Sequence, residues 1–468
     1  MIILSKLKRS DMQIGFKIDL NKCTGCQACQ LACEIENDLG WGNSWRIVET
    51  FNEANVPGIP VFYYSVSCNH CEKPVCLKNC PAWAISKNKD SGNVIIDPEK
   101  CIGCRYCSWV CPYDAPKYDT KAKVMQKCTF CDHRKENGFK PACVTGCPTG
   151  ALETVDISDF KKKIEYPGFP EIGIRPVIEI KHLRKNNVFP KLSGEDKDRR
   201  EKYNGIKTNN DKKVSITQEW PLLIFTLIMS FLTAYLTGSL ISDYSIHILS
   251  FFPIAVTGLL ISTFHLGKPE RSVNAIINIK RSWISREILL TNLFFTISLI
   301  YLIFHETVIG WTAASLGILT LFSIDKVYKI KTRIAVTKIH SASAILSGLY
   351  LIGIFTEQWI IIGWFGFIRL FLYTFRRSFN YKNKKKGRIA VSAIRIIFGF
   401  FIPILTMQIT SGEYYWYILL SVLVGELIDR WEFYNELDFL TIKKQISGDM
   451  KKLIGRKEYG VSGIFPWI

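Results

Sequence analysis

The sequence predicts a chain of two unlike halves. The first is a loop-rich, internally duplicated α+β domain, and the second is an all-α polytopic membrane domain of about eight transmembrane helices. Three observations carry this. All sixteen cysteines lie between residues 23 and 147. From Trp220 onward, long apolar segments follow one another almost without interruption. The loops between those segments alternate sharply in charge.

The cysteines fall into four sets. Cys23, Cys26, Cys29 and Cys33 are spaced C-x2-C-x2-C-x3-C. Cys68, Cys71, Cys76 and Cys80 precede Pro81, and Cys101, Cys104, Cys107 and Cys111 precede Pro112. Cys128 and Cys131 are followed, after eleven residues, by Cys143 and Cys147, then Pro148. This is the ligand spacing of bacterial two-cluster ferredoxins, in which three close thiolates hold one [4Fe–4S] cube and the fourth reaches to its neighbour. Motifs therefore work in pairs, and two pairs give four [4Fe–4S] clusters with no thiol left over. Disulfides would need an oxidising compartment, and the first fifteen residues contain no secretory or twin-arginine signal, so the N-terminus reads as mature. Zinc sites give no reason for the repeated fourth Cys-Pro.

Strand-like stretches lead into the cysteine loops at Gly15–Asp19 and Asn93–Asp97. With so many loops, the clusters themselves are expected to hold this ferredoxin-like domain, residues 1–190, together. Trp83, Tyr106 and Trp109 are read as aromatic shields against water. Residues 191–217 form a polar linker, 218–437 the transmembrane domain, and 438–468 a basic C-terminal tail. The net charge of +19 sits mainly between the apolar segments, which points to membrane topology and excludes nucleic acid as a partner.

The apolar segments run near 220–241, 246–266, 287–304, 307–324, 335–355, 357–375, 391–410 and 414–430. Most match the ~20 residues that a helix needs to cross ~30 Å of hydrocarbon. Lys268, Arg271, Lys280, Arg281 and Arg286 lie in one loop, and Lys326, Lys329, Lys331, Arg333 and Lys338 in the next on that side. Arg376, Arg377, Lys382, Lys384, Lys385, Lys386 and Arg388 are read as a third, whereas the loops around Asp243, Glu306, Glu357 and Glu413 have neither Lys nor Arg. By the positive-inside rule the basic loops, both termini and the cluster domain face the cytoplasm, on the inner membrane.

Residues 14–190 resemble the four-cluster electron-transfer subunit of the dimethyl sulfoxide reductase family of molybdoenzymes, and residues 218–437 resemble its membrane anchor. The anchor resemblance rests on Glu219-Trp220-Pro221-Leu222, His265-Leu266-Gly267-Lys268-Pro269-Glu270-Arg271, Ser282-Trp283-Ile284-Ser285-Arg286-Glu287, and Gly425-Glu426-Leu427-Ile428-Asp429-Arg430 with Phe433-Tyr434. Two subunits that are usually separate look fused here. The resemblance implies the pairing of ligands: Cys23, Cys26, Cys29 and Cys147 for the first cube; Cys33, Cys128, Cys131 and Cys143 for the second; Cys68, Cys71, Cys76 and Cys111 for the third; Cys80, Cys101, Cys104 and Cys107 for the fourth. It also implies a separate molybdopterin catalytic subunit as partner, and the membrane quinol pool as the source of electrons.

Quinol oxidation needs two proton acceptors beside an electron acceptor. His265 closes the second apolar segment and Glu287 opens the third, so both sit at the membrane edge on the side of the cluster domain. His265 is assigned to hydrogen-bond a quinol oxygen and Glu287 to take or relay a proton. Gly267 would let the backbone approach, and Arg271 would bind a carboxylate or fix the loop. The alternative for His265 is an interfacial histidine bonded to a carbonyl. Glu426 is either a second relay or a helix-packing hydrogen bond, and Asp429 and Arg430 are read as an ion pair. His247 and His305 lie at outer ends, and His265 and His340 have no evident facing partner, so no haem is expected.

The leading reading is the electron-transfer and anchor subunit of a respiratory reductase, with menaquinol or ubiquinol oxidised here (menaquinone being the expected quinone) and the terminal substrate reduced on another chain. A second runs the same wire backwards, as the quinone-reducing subunit of a formate-, sulfide- or arsenite-type dehydrogenase. A third is a non-catalytic membrane redox sensor or assembly protein.

Overall fold

A computed structural model of the protein describes residues 13–56, 59–157, 164–184, 213–242, 244–334, 339–382, 389–410 and 415–458. Most of the expected polar linker lies outside the described residues, as do Asp243, Lys338, Lys384, Lys385, Lys386, Arg388 and Glu413. The chain forms two compact units, Met1–Asp211 together with Phe439–Ile468, and Lys212–Asp438.

In the first unit β1 (Gln13–Asp19) is a central strand. Its inward residues Phe16 and Ile18 are buried, and it pairs antiparallel with β8 (Leu152–Ile157) and parallel with β9 (Ile178–Lys181). Between β1 and β8 lie three hairpins: β2 (Ile47–Phe51) with β3 (Phe62–Val66), β4 (Ile85–Lys87) with β5 (Val94–Ile96), and β6 (Lys117–Asp119) with β7 (Val124–Gln126). Five short helices alternate with them: α1 (Ala28–Glu36), α2 (Val75–Asn79), α3 (Tyr106–Val110), α4 (Asp132–Glu136) and α5 (Ala142–Thr145). Each carries or directly follows a cysteine of one set. None has a side-chain cap at its N-terminus, because cysteine loops run straight into these helices.

The second unit is helical: α6 (Ile216–Ser242), α7 (Ile248–Thr263), α8 (Trp283–Phe304), α9 (Thr307–Val327), α10 (Ala344–Phe355), α11 (Trp359–Lys382), α12 (Ile389–Ile396), α13 (Ile402–Thr410) and α14 (Tyr415–Glu436). A π-helical turn, Ile397–Phe401, joins α12 to α13. The helix α6 is central, touching α7, α9, α10 and α14. Its buried face is rich in small residues, including Ser230, Thr233, Ala234 and Gly238, which let neighbours approach closely as membrane helices require. At the crossing of α14 on the π-helical turn, a Cβ on Gly425 would stand 2.4 Å from the Gly399 Cα, so only glycine fits.

Five helical stretches are long and apolar enough to cross a bilayer: Ile216–Ser242, Trp283–Phe304, Thr307–Val327, Trp359–Phe379 and Ile389–Ile409. Of the apolar segment expected to be one span at 335–355, the described residues 339–355 are helical only over Ala344–Phe355. Twelve residues rise only ~18 Å, short of the hydrocarbon thickness. The residues just before α10 are non-helical and buried, with Ser341 and Ser343 almost inaccessible, which fits irregular backbone tolerated only where protein surrounds it. Arg376 and Arg377, expected in a loop, instead belong to α11 and make ion pairs.

The segment read as a basic tail contains α15 (Ile442–Glu458). Ile442, Ile446, Met450 and Ile454 recur every fourth residue and so form one apolar stripe. All four are buried in the core of the first unit with Phe51, Phe62, Tyr64 and Phe169. The Gly168 N–H donates to Asp449 Oδ2 at 2.9 Å, and Phe439 stacks on Trp109 with centroids 5.7 Å apart.

Candidate functional site

The cysteines gather across the sequence rather than within each run. One cavity is lined by Cys23, Cys26, Cys29 and Cys147, a second by Cys33, Cys128, Cys131 and Cys143, and a third by Cys68, Cys71, Cys76 and Cys111. Cys107 feels the charge of Cys104, Cys80, Cys76 and Cys101, so the remaining four also lie close together. Among the described residues no three or more His, Cys, Asp or Glu form a site for a lone metal ion. The sulfurs stand back around cavities, a spacing that suits a polynuclear cluster better than zinc.

Backbone geometry explains how such short loops wrap a cavity. The residue just before α1, α3 and α4 is left-handed in each case: Gln27, Arg105 and Cys131. Gly25 is left-handed too, and a Cβ there would strike the Tyr63 ring at 2.6 Å. Such left-handed turns aim successive N–H groups into one concavity, a nest for anions and for Fe–S sites. The Phe130 N–H points at Cys128 Sγ and the Met125 N–H at Cys101 Sγ, each at 3.4 Å. Burial pushes the Cys76 and Cys128 thiols up to about 12. Burial also acts upward on Cys147, but the amides of Leu152, Ala151 and Thr149, with the Thr149 hydroxyl, outweigh it and hold that thiol below the usual range. Thiols this buried ionise readily only against bound metal, and amides directed at sulfur suit a cluster with net negative charge. The residues fit [4Fe–4S] cubes.

Three buried polar side chains near the cavities were not singled out from sequence. Arg46 lines the second cavity and Lys127 the third. His70 accepts the Val94 N–H on Nδ1 at 2.9 Å, and burial, reinforced by Lys127, Lys87 and Arg46, holds its pKa well below the usual value. The aromatic shield is narrower than expected. Tyr106 and Trp109 are buried, whereas Trp83 is 55% exposed and shields little.

In the membrane unit His265 lies in the turn after α7, and its Nδ1 is hydrogen-bonded to the Ser262 carbonyl. Gly267 is buried, with Arg271 half-buried in the 3-10 turn Pro269–Ile276 that follows. Ser282 caps α8, on which Glu287 is half-buried. Arg286 pins the connector by donating to the carbonyls of Ile279 and Lys280, both at 2.9 Å. The helices α7 and α8 are in contact, so His265 and Glu287 flank one connector. Two buried tyrosines belong beside this group. The hydroxyls of Tyr328 and Tyr434 are hydrogen-bonded to each other, and the carboxylates of Glu287 and Glu219 both act on them electrostatically. Tyr434 and Glu219 lie in quoted sequence motifs, but only the fold brings them together.

Glu426 is fixed between Arg369 and Arg430, with the Arg430 contact at 2.6 Å, so it packs helices rather than standing free as a relay. Asp429 and Arg430 do not pair with each other, because successive helix residues point to different faces. Asp429 instead meets Arg395 at 2.8 Å, Arg376 at 3.0 Å and Arg369 at 3.7 Å. Arg430 also reaches back to Ser230 on α6 at 3.0 Å.

Comparison with known proteins agrees with both halves. Residues 59–157 match a family described as 4Fe-4S dicluster domain, and residues 214–362 match one described as DMSO reductase anchor subunit (DmsC). A protein of Haemophilus influenzae, named as one of the chains of anaerobic dimethyl sulfoxide reductase, is 40% identical over 195 residues, covering 39% of the present chain and 94% of that protein. One of the subunits of the sulfite dehydrogenase of Allochromatium vinosum is 36% identical over 205 residues, covering 38% of the present chain and 85% of its own length. The corresponding dimethyl sulfoxide reductase component of Escherichia coli strain K12 is 42% identical over 159 residues, covering 32% of the present chain and 77% of its own length.

Proposed function

Because the protein belongs to the dimethyl sulfoxide reductase family, with that family's iron–sulfur and anchor subunits fused in one polypeptide, we propose that it oxidises quinol in the membrane and feeds a separate molybdopterin subunit. The observation that carries the wire is the gathering of sixteen cysteines into four groups of four. Each group would hold one [4Fe–4S] cluster, and the clusters supply one-electron steps. The domain is then two nested two-cluster modules.

Oxidation of a quinol breaks two O–H bonds and releases two electrons and two protons. With Nδ1 of His265 donating to the Ser262 carbonyl, the lone pair of a neutral ring is on Nε2, which takes one quinol proton. The Glu287 carboxylate takes the other, and the electrons leave singly to the clusters. Gly267 and Arg271 shape the connector between His265 and Glu287. In the complete complex, His265→Ala and Glu287→Gln should each abolish quinol-driven reduction of the terminal acceptor and leave dye-driven reduction intact. Equal losses in both assays would sink the assignment.

Eight crossings follow if α7, the short α10 with its non-helical lead-in, and α14 cross as well as the five long stretches. An even number is supported by one folded unit containing both the residues before the first helix and those after the last. The basic loops then put that unit on the cytoplasmic side of the inner membrane. The reverse direction, reduction of quinone by a dehydrogenase, keeps a claim because one relative is named as part of a sulfite dehydrogenase. Redox titration of the clusters and the identity of the co-purifying large subunit separate the two directions.

A further inference from the structure

Arg46 is a buried cation without an anion of its own. It precedes β2 and is 1% exposed. Nη1 donates to the Ser65 carbonyl at 2.9 Å and to Ser65 Oγ at 3.1 Å, and Nη2 donates to Ser67 Oγ at 2.8 Å. The guanidinium carbon stands 4.3 Å from the centre of the Phe16 ring. Nε has no hydrogen-bond partner, and among the described residues no carboxylate pairs with this side chain.

Such a charge is strongly unfavourable in a protein interior unless something negative faces it. What faces it is sulfur. Arg46 lines the cavity of Cys33, Cys128, Cys131 and Cys143. Ser65 Oγ, one of its anchors, lies 3.2 Å from Cys29 Sγ in the neighbouring cavity. The thiols that act on its charge come from both groups: Cys143, Cys128 and Cys33 from the second and Cys29 from the first. Guanidinium does not lose its proton in proteins, so the charge is constant with pH.

We infer that Arg46 is a positioning residue that raises the reduction potentials of the first and second clusters. The inference rests on the ligand grouping proposed above. A cluster that accepts one electron gains one negative charge, and no proton need move. A fixed cation buried beside it stabilises the reduced form and leaves the oxidised form less favoured. The two clusters flanking Arg46 become better electron acceptors than they would be without it. A second buried cation of the cluster domain, Lys127, borders the third cavity and bonds the Val94 and Cys128 carbonyls, so it biases a different cluster.

The test is an EPR-monitored redox titration of the complete complex carrying the wild-type protein, Arg46→Gln or Arg46→Lys. In Arg46→Gln, two of the four midpoints should fall by about 59 mV, which is a tenfold change for a one-electron couple, while the other two stay. Arg46→Lys, which keeps the charge, should retain all four. No shift in Arg46→Gln, or an equal shift of all four midpoints, would overturn the inference. If Arg46→Gln fails to hold its iron, Arg46→Lys decides, because a fall of two midpoints with the charge retained would also overturn it. A wild-type protein with far fewer than about sixteen iron atoms, four per cube, would instead refute the ligand grouping itself.

Discussion

Asp429→Asn tests the buried ion network of the membrane unit. Asp429 is inaccessible, and its two oxygens meet Arg395 at 2.8 Å, Arg376 at 3.0 Å, Arg369 at 3.7 Å and the Ser341 hydroxyl at 2.8 Å. Asparagine keeps the shape and removes the charge. Glu426 still faces Arg369, and Glu436 still faces Arg376, but Arg395 keeps no carboxylate partner among the described residues. Removing one partner of a buried pair typically costs about 3–5 kcal/mol, because an uncompensated charge is left inside. That is a large share of the roughly 5–15 kcal/mol by which folded domains are stable. For a unit of this size it corresponds to a fall in Tm of about 6–20 °C. Thermal unfolding in detergent, followed by tryptophan fluorescence, reads it out, with cluster absorbance as an internal reference for the other unit. A fall of less than about 2 °C, below the range expected for even one kcal/mol, would mean that water reaches Asp429 and that the network is not what ties α11, α12 and α14 together.

Two further outcomes concern the cluster domain. Ile446→Asp puts a charge into the core shared by α15, Phe51 and Tyr64, and it should lower iron retention during dialysis and speed proteolysis between Phe439 and Ile442. An unchanged digestion pattern would mean that the helix is not needed there. Glu36 joins α1 to α4 through His133 at 2.8 Å and Arg134 at 2.6 Å, and the hydrogen bond from His133, helped by Arg134 against a small desolvation, holds its carboxyl below the usual carboxylate range. A depressed folded-state pKa stabilises above the unfolded value near 4.5 and loses that stabilisation as pH falls through the folded value. Glu36→Gln should therefore lower stability at neutral pH by no more than about 1 kcal/mol, as measured by denaturant midpoints, and leave stability in acid, below the folded value, nearly unchanged.

The parts of this fold that were legible from sequence are those written in local spacing. Cysteine intervals, the strand Gly15–Asp19 and most apolar runs fall into this class, because ligands and helix faces repeat at fixed separations. Arg46 was not legible, since its partners Ser65 and Ser67 come from the other side of the hairpin and nothing beside it marks it. The pairing of Asp429 with Arg430 was read from adjacency, which is the wrong distance on a helix. The short α10 was hidden inside a longer apolar run, because hydropathy does not register where Ser341 and Ser343 leave helical geometry. The stripe Ile442, Ile446, Met450 and Ile454 was present as a four-residue period but was masked by the lysines between.

The helix α15 has a consequence for how the molecule is made. The first unit cannot close its core until the ribosome has passed Ile454, and by then the whole intervening membrane unit has been synthesised. Synthesis of the second unit must therefore come before closure of the first unit's core. A nascent polypeptide that stops short of Phe439 would leave the apolar side chains of Phe51 and Tyr64 without the cover of Ile442, Ile446 and Met450.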